Sequence, residues 1–171
     1  KLNYGHLFSI YNDVMEIKNC HSIGCLKLWV ARLLIAAVIG WNLQAAIFLL
    51  ANPAQSAKAF ALADQPGEAA VIGIVILFLM WQVPYLFALA HPLRFKLSVI
   101  QASIMQAIGL LGESLLLSRI SPDYPSLRVS ITRFVIFDAA GLVLLLAALL
   151  LVRLCSHQSI KSTEGAVLPD P

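Results

Sequence analysis

Four long apolar runs dominate the chain, separated by short stretches rich in proline, glycine and charge. They are LWVARLLIAAVIGWNLQAAIFLLA (28–51), AAVIGIVILFLMWQVPYLFALA (69–90), LSVIQASIMQAIGLLGESLLLS (97–118) and VSITRFVIFDAAGLVLLLAALLLV (129–152). Each meets the length of about 20 residues that carries a helix across a bilayer core of about 30 Å. The separators NPAQSAK, DQPGE, HPLRFK and SPDYPS hold turn residues and predict breaks. The second and third runs are joined so tightly that their helices must be antiparallel neighbours. Neither the alternation of a membrane β-barrel nor an internal repeat is present. The expected fold class is all-α: an integral membrane, antiparallel four-transmembrane-helix bundle with an amphipathic N-terminal helix.

The two ends differ from the middle. Within residues 1–27, Leu7, Ile10, Tyr11, Val14 and Ile17 recur at helical spacing, with Asn12, Asp13 and Glu16 on the other side. That pattern suits an amphipathic helix lying on the membrane or a partner, or one folded against the protein's own loops. The segment lacks the short apolar core and small-residue cleavage site of a signal peptide. Residues 153–171 form a polar tail, SHQSIKSTEGAVLPDP at its end, with little reason to fold alone. The expected organisation is thus 1–27, a bundle over 28–152, and the tail.

Composition sharpens this picture. Of 171 residues, 60% are hydrophobic and only 12% charged, and the mean hydropathy is +0.83. A soluble domain of this size needs far more charge to cover its surface. The net charge of +3 is too small to argue for nucleic acid. The positives instead flank the runs. Lys1, Lys18, Lys27, Arg32, Arg94, Lys96, Arg153 and Lys161 fall on one side, and Lys58, Arg119, Arg128 and Arg133 on the other. The richer side is expected in the cytoplasm, which puts both termini inside, and the bacterial inner membrane is the expected location.

Charged and amide side chains inside the runs are the candidate chemistry. A carboxylate at the centre of a span costs roughly 2.5–3.5 kcal/mol on insertion scales, so it needs a reason. Ala102, Gln106, Gly109 and Glu113 share one helical face, and Asp138 has Gly141 on its own face. Counted from the outer ends, Glu113, Asp138, Asn42 and Gln44 fall at one depth. Arg133 lies little more than a turn from Asp138, and Arg119 less than two turns from Glu113. Two readings follow. Asn42, Gln44, Gln106, Glu113, Asp138 and Arg133 form a polar binding site, or the acids pair with arginine and serve helix packing. Gln82 and Pro84 sit nearer the middle of the second run, where the proline frees a carbonyl and kinks the helix.

Metal and haem chemistry find thin support. Cys20, His21 and Cys25 occur together as NCHSIGC, the weak candidates for a metal site. Their C-x-x-x-x-C spacing is neither a zinc-knuckle pair nor a C-x-x-C redox pair. His91, at the inner end of the second run, is a candidate pigment or haem ligand, although an interfacial histidine more often anchors a helix end. Walker, G-x-G-x-x-G, G-x-S-x-G and H-E-x-x-H motifs are all missing.

The segment WQVPYLFALAHPLRFKLSVIQASIMQAIGLLGES carries W-x-V-P-Y (Trp81, Val83, Pro84, Tyr85), H-P before a basic hairpin (His91, Pro92, Arg94) and G-E (Gly112, Glu113). Over residues 81–114 the chain resembles small four-span bacterial membrane proteins of DoxX-like type. The resemblance implies the four-span fold and transfers no catalytic residue. The Q-V-P element also resembles, loosely, four-span sterol-binding and sterol-isomerase proteins, without their further acidic positions.

Three functions are expected in order. The first is a non-catalytic accessory subunit of a larger membrane assembly, such as a respiratory electron-transport or photosynthetic complex, in contact with other membrane subunits and with lipid, quinone or pigment. The second is a membrane protein that binds a lipid, quinone or sterol, enzymatic or not, around Glu113 and Asp138. The third is a small transporter or proton channel, which one polar level does little to support.

Overall fold

The computed structural model describes the backbone of residues 4–164 and the side chains of residues 26–156. Five helices follow in order: α1 (Tyr4–Ala51), α2 (Pro53–Ala59), α3 (Asp64–Ala90), α4 (Lys96–Arg119) and α5 (Pro125–Glu164). Among the described residues there is no strand. Four stretches are long and apolar enough to cross a membrane: Leu26–Ala51, Asp64–Ala90, Lys96–Arg119 and Pro125–Ser156. The protein is an all-helical, multi-pass bundle.

The spans form a closed ring. Helix α1 packs against α3 and α5, and α4 packs against the same two. The α3–α5 diagonal meets through long side chains, Phe78 lying at ring-centre distances of 6.1 and 6.5 Å from Phe134 and Phe137. Only 22–33% of each span's most apolar stretch is buried within the bundle, so most of the apolar surface is left for lipid or a neighbouring subunit.

Three boundaries differ from the sequence pattern. Helix α1 carries no break near residue 27, so the N-terminal segment continues the first span rather than forming a separate element. Its amphipathic side chains lie outside the described residues. Helix α5 runs past 152 to Glu164, so the start of the predicted polar tail is helical. The separator NPAQSAK folds as α2. Pro53 occupies the first turn, where its missing N–H costs nothing, and three alanines favour the helix behind it. The Phe60 N–H returns to Ser56 O and Ala57 O and closes the turn. Helix α2 seats on α3 because Gly67 has no side chain there. A Cβ at that position would stand 2.9 Å from Leu62 Cβ.

Two arginines close helix ends rather than pair with acids. Arg32 Nη2 donates to Ala90 O, at the end of α3, at 3.0 Å. Arg128 Nη1 donates to Ile120 O, just past α4, at 2.6 Å. Both cations thereby meet the negative end of a helix dipole. Arg32→Leu is expected to lower bundle stability by about 0.5–1.5 kcal/mol, read from unfolding in mixed detergent and SDS, because the Ala90 carbonyl then loses its donor.

The core has two apolar clusters. Ile35, Val38, Tyr85, Val99, Leu145 and Val152 belong to the one at the end that carries the termini. Ala46, Leu49, Ala57, Val71, Val75 and Phe78 make the other, at the α2 end. Between them lies a layer of polar side chains.

Candidate functional site

The polar layer draws one side chain from each span. The Tyr85 hydroxyl of α3 donates to Gln106 Oε1 of α4 at 2.7 Å. Gln106 Nε2 in turn donates to Asp138 Oδ1 of α5, also at 2.7 Å. From α1, Asn42 approaches the Tyr85 hydroxyl. Tyr85 is fully buried, and Asn42, Gln106 and Asp138 are 2%, 3% and 5% exposed. Gln106 is the hub, since its amide offers both an acceptor and a donor and so joins a hydroxyl to a carboxylate.

Two glycines make room for this chain. A Cβ on Gly109 would collide with Asp138 Oδ2, and one on Gly141 would stand 2.6 Å from Gln106 Nε2. The small residues on the facing sides of α4 and α5 are therefore notches, each holding a polar side chain from the opposite helix. Asp138 lies across α4, between Gln106 and Gly109.

Glu113 stands one turn beyond Gly109 on α4. It is half-buried. Its Oε2 is buried without a hydrogen-bond partner, as are Asn42 Nδ2 and Gln82 Oε1. The Gln82 amide turns back along its own helix, Nε2 donating to Phe78 O at 2.9 Å. Orphaned polar atoms inside a membrane bundle are costly, because no bulk solvent is at hand to satisfy them.

Two predicted members of the cluster lie elsewhere. Gln44 is exposed and lines a shallow groove on the outer side of α1 with Trp41 and Phe48. At about 100° per residue it points some 200° away from Asn42, so equal depth does not mean equal face. Arg133 is exposed and borders a groove between α1, α2 and α5. Five positions before Asp138, it falls about 140° round the helix and does not reach the carboxyl. Arg119 is exposed at the end of α4. Among the described residues, neither acid is paired with an arginine, which removes the simplest structural account of them.

Tyr85 belongs to the site, although the sequence offers it only as part of the W-x-V-P-Y element. Its signal was present, because Val71, Val75, Phe78, Gln82 and Tyr85 mark one face at alternating steps of four and three. His91 is exposed and ends α3, its N–H donating to Phe87 O at 3.3 Å and its carbonyl accepting from Phe95 N at 2.8 Å. Those are hairpin contacts of the backbone. Cys20, His21 and Cys25 lie outside the described residues. Cys155 is buried near Lys27 at the end that carries the termini. Among the described residues no three metal-ligating side chains gather.

The arrangement can bind. Apolar clusters flank the polar layer, one toward the termini from all four spans and one at the α2 end from α1, α2, α3 and α5. Of the polar side chains in this layer, Glu113 alone is only half-buried. The chain matches no protein-family model, no curated protein and no solved structure.

Proposed function

We propose that the chain is a ligand-binding membrane protein whose polar layer takes a small apolar molecule with a hydrogen-bonding head, of the lipid, quinone or sterol class, entering sideways at Glu113. The observation that supports this reading is a buried carboxyl, Asp138, hydrogen-bonded through Gln106 to Tyr85, with a second, half-buried carboxyl, Glu113, one turn beyond Gly109, and no arginine paired with either among the described residues. An unpaired ionisable side chain at membrane depth is a functional candidate by default. Glu113 can accept a hydrogen bond from a ligand hydroxyl or, protonated, donate one to a ligand carbonyl. The apolar cluster toward the termini draws on all four spans and gives a proton or solute path no continuation there, which ranks a transporter last. The excess of Lys and Arg near the ends that carry the termini supports a cytoplasmic position for both.

The test is the small-molecule content of the full chain purified in mild detergent, identified by mass spectrometry, with an absorption spectrum of the same fraction. Wild type is expected to retain a defined apolar molecule above the background of bulk lipid. Glu113→Gln is expected to lose it while the bundle stays folded, and Leu111→Ala, on the lipid-facing side of α4, is expected to keep it. Retention by Glu113→Gln, or no such molecule in wild type, overturns the reading.

A second reading is an accessory subunit of a larger assembly. It is favoured by α4, whose apolar stretch is the least buried of the four, at 22%. Its exposed Leu97, Ile104, Ile108 and Leu111 suit a neighbouring span as well as lipid. A native mass well above that of the single chain would support it.

A further inference from the structure

Helices α1, α2 and α5 enclose a groove of about 400 Å³ at the α2 end of the bundle, separate from the polar layer. Trp41, Phe48, Phe60, Phe134 and Phe137 wall it. Two pairs brace these walls: Phe60 stacks on Phe134 with ring centres 5.9 Å apart, and Trp41 meets Phe137 edge-on at 5.2 Å. Trp41 and Phe137 precede Asn42 and Asp138 in sequence, so the aromatics bound the groove while their polar neighbours turn into the core.

The polar side chains of this groove are unusual. Arg133 is its one charged residue, exposed, with no acid among the lining side chains. Ser56 of α2 is only 3% exposed, lines the groove, and its Oγ has no hydrogen-bond partner. The neighbouring Ser130 hydroxyl, by contrast, is already directed at Ala59 O, 3.0 Å away. Among the described residues, a cation without a partner and an unspent buried hydroxyl thus stand at one apolar trough. Helix α2 follows directly on the end of the first span, so this polar corner lies at the level where headgroups begin.

Each simpler occupant leaves part of this arrangement unused. A free anion leaves the aromatic walls bare, and a neutral lipid leaves Arg133 without a counter-charge. We infer that the groove binds an anionic membrane phospholipid, its acyl chain along Phe48, Phe134 and Phe137 and its phosphate held by Arg133 and Ser56. A guanidinium suits a phosphate through paired N–H donors, and a serine hydroxyl adds a further one.

The experiment uses the full chain in a neutral detergent, with native mass spectrometry reading bound lipid. The probes are phosphatidylglycerol and phosphatidylcholine with identical acyl chains, and inorganic phosphate alone. Wild type is expected to prefer phosphatidylglycerol by about five- to tenfold, the range one cation near an anionic headgroup supplies. Arg133→Gln should bring the two lipids level, and Arg133→Lys, which keeps the charge and guards against a folding defect, should retain most of the preference. Ala45→Phe, which fills the groove without changing charge, should weaken both lipids. Arg119→Gln, at the same end but outside the groove, should change nothing.

No preference in wild type, preference surviving Arg133→Gln, or an equal loss in Arg119→Gln would overturn the inference. Inorganic phosphate competing as well as the lipid would also overturn it, leaving an anion site that needs no chain. None of these readouts involves Glu113, so the groove and the polar layer stand or fail separately.

Discussion

Gln106→Leu is expected to cost the bundle about 2–3 kcal/mol, although leucine is near glutamine in size and suits a helix. The reason is what the substitution leaves behind. Gln106 accepts from the Tyr85 hydroxyl and donates to the Asp138 carboxyl, both at 2.7 Å. With leucine in its place, a buried hydroxyl and a buried carboxyl lose their main partner at once. Each such orphan costs about 1–3 kcal/mol in a protein interior. The lower part of that range applies here, because hydrogen bonds between membrane helices average only about 0.6 kcal/mol. Adding Tyr85→Phe to Gln106→Leu should recover up to about 1 kcal/mol, since the hydroxyl it removes would be left with only a long bond to Ala102 O, at 3.4 Å. Packing alone predicts the opposite sign, because the double variant has lost one more buried atom. SDS-induced unfolding of wild type and the two variants reads all of these differences on one scale.

How far the sequence reached depends on the range of the interaction concerned. The spans were readable because length and apolarity are properties of a single helix in a slab, and each helix answers to them alone. The α2 turn was hidden, because a proline after asparagine reads equally as a break and as a first helical turn. The polar layer was half readable. Depth along a span fixes only the level expected for Glu113, Asp138, Asn42 and Gln44. Azimuth separates partners from strangers, and it sends Gln44 and Arg133 outward while turning Tyr85 in. Periodicity within α3 had already marked the Tyr85 face. What no single helix reveals is which face meets which. The bond from Gln106 to Asp138 therefore became visible only once α4 and α5 were set side by side. The aromatic groove is of the same kind. Its walls come from three helices, so no single helix reveals it.

Gly109→Leu is expected to open the seam between α4 and α5, costing about 3 kcal/mol or more, and Gly109→Ala about 1–3 kcal/mol. A Cβ at position 109 would occupy the place of Asp138 Oδ2. The carboxyl cannot simply swing aside, because its other oxygen is held by Gln106 and the whole side chain is buried. Helix propensity works against this expectation, since alanine is favoured over glycine by up to about 1 kcal/mol in a helix interior. A net loss on Gly109→Ala therefore isolates the collision. The decisive variant is Gly109→Ala combined with Asp138→Ala. Removing the carboxyl frees the space that the new methyl needs, so the double variant should be more stable than the sum of the two single changes predicts. The coupling expected between touching residues is about 0.5–3 kcal/mol, favourable in sign. Strict additivity would mean that α4 and α5 do not meet at this notch. The same cycle bears on function, because Glu113 lies one turn further along α4. A seam forced apart at Gly109 should displace Glu113 from Asp138 and lower ligand retention in proportion to the lost stability. The double variant should restore the seam without restoring the ligand, because the Asp138 carboxyl is gone. Separating these two effects distinguishes a carboxyl that merely fills a notch from one that belongs to the binding site.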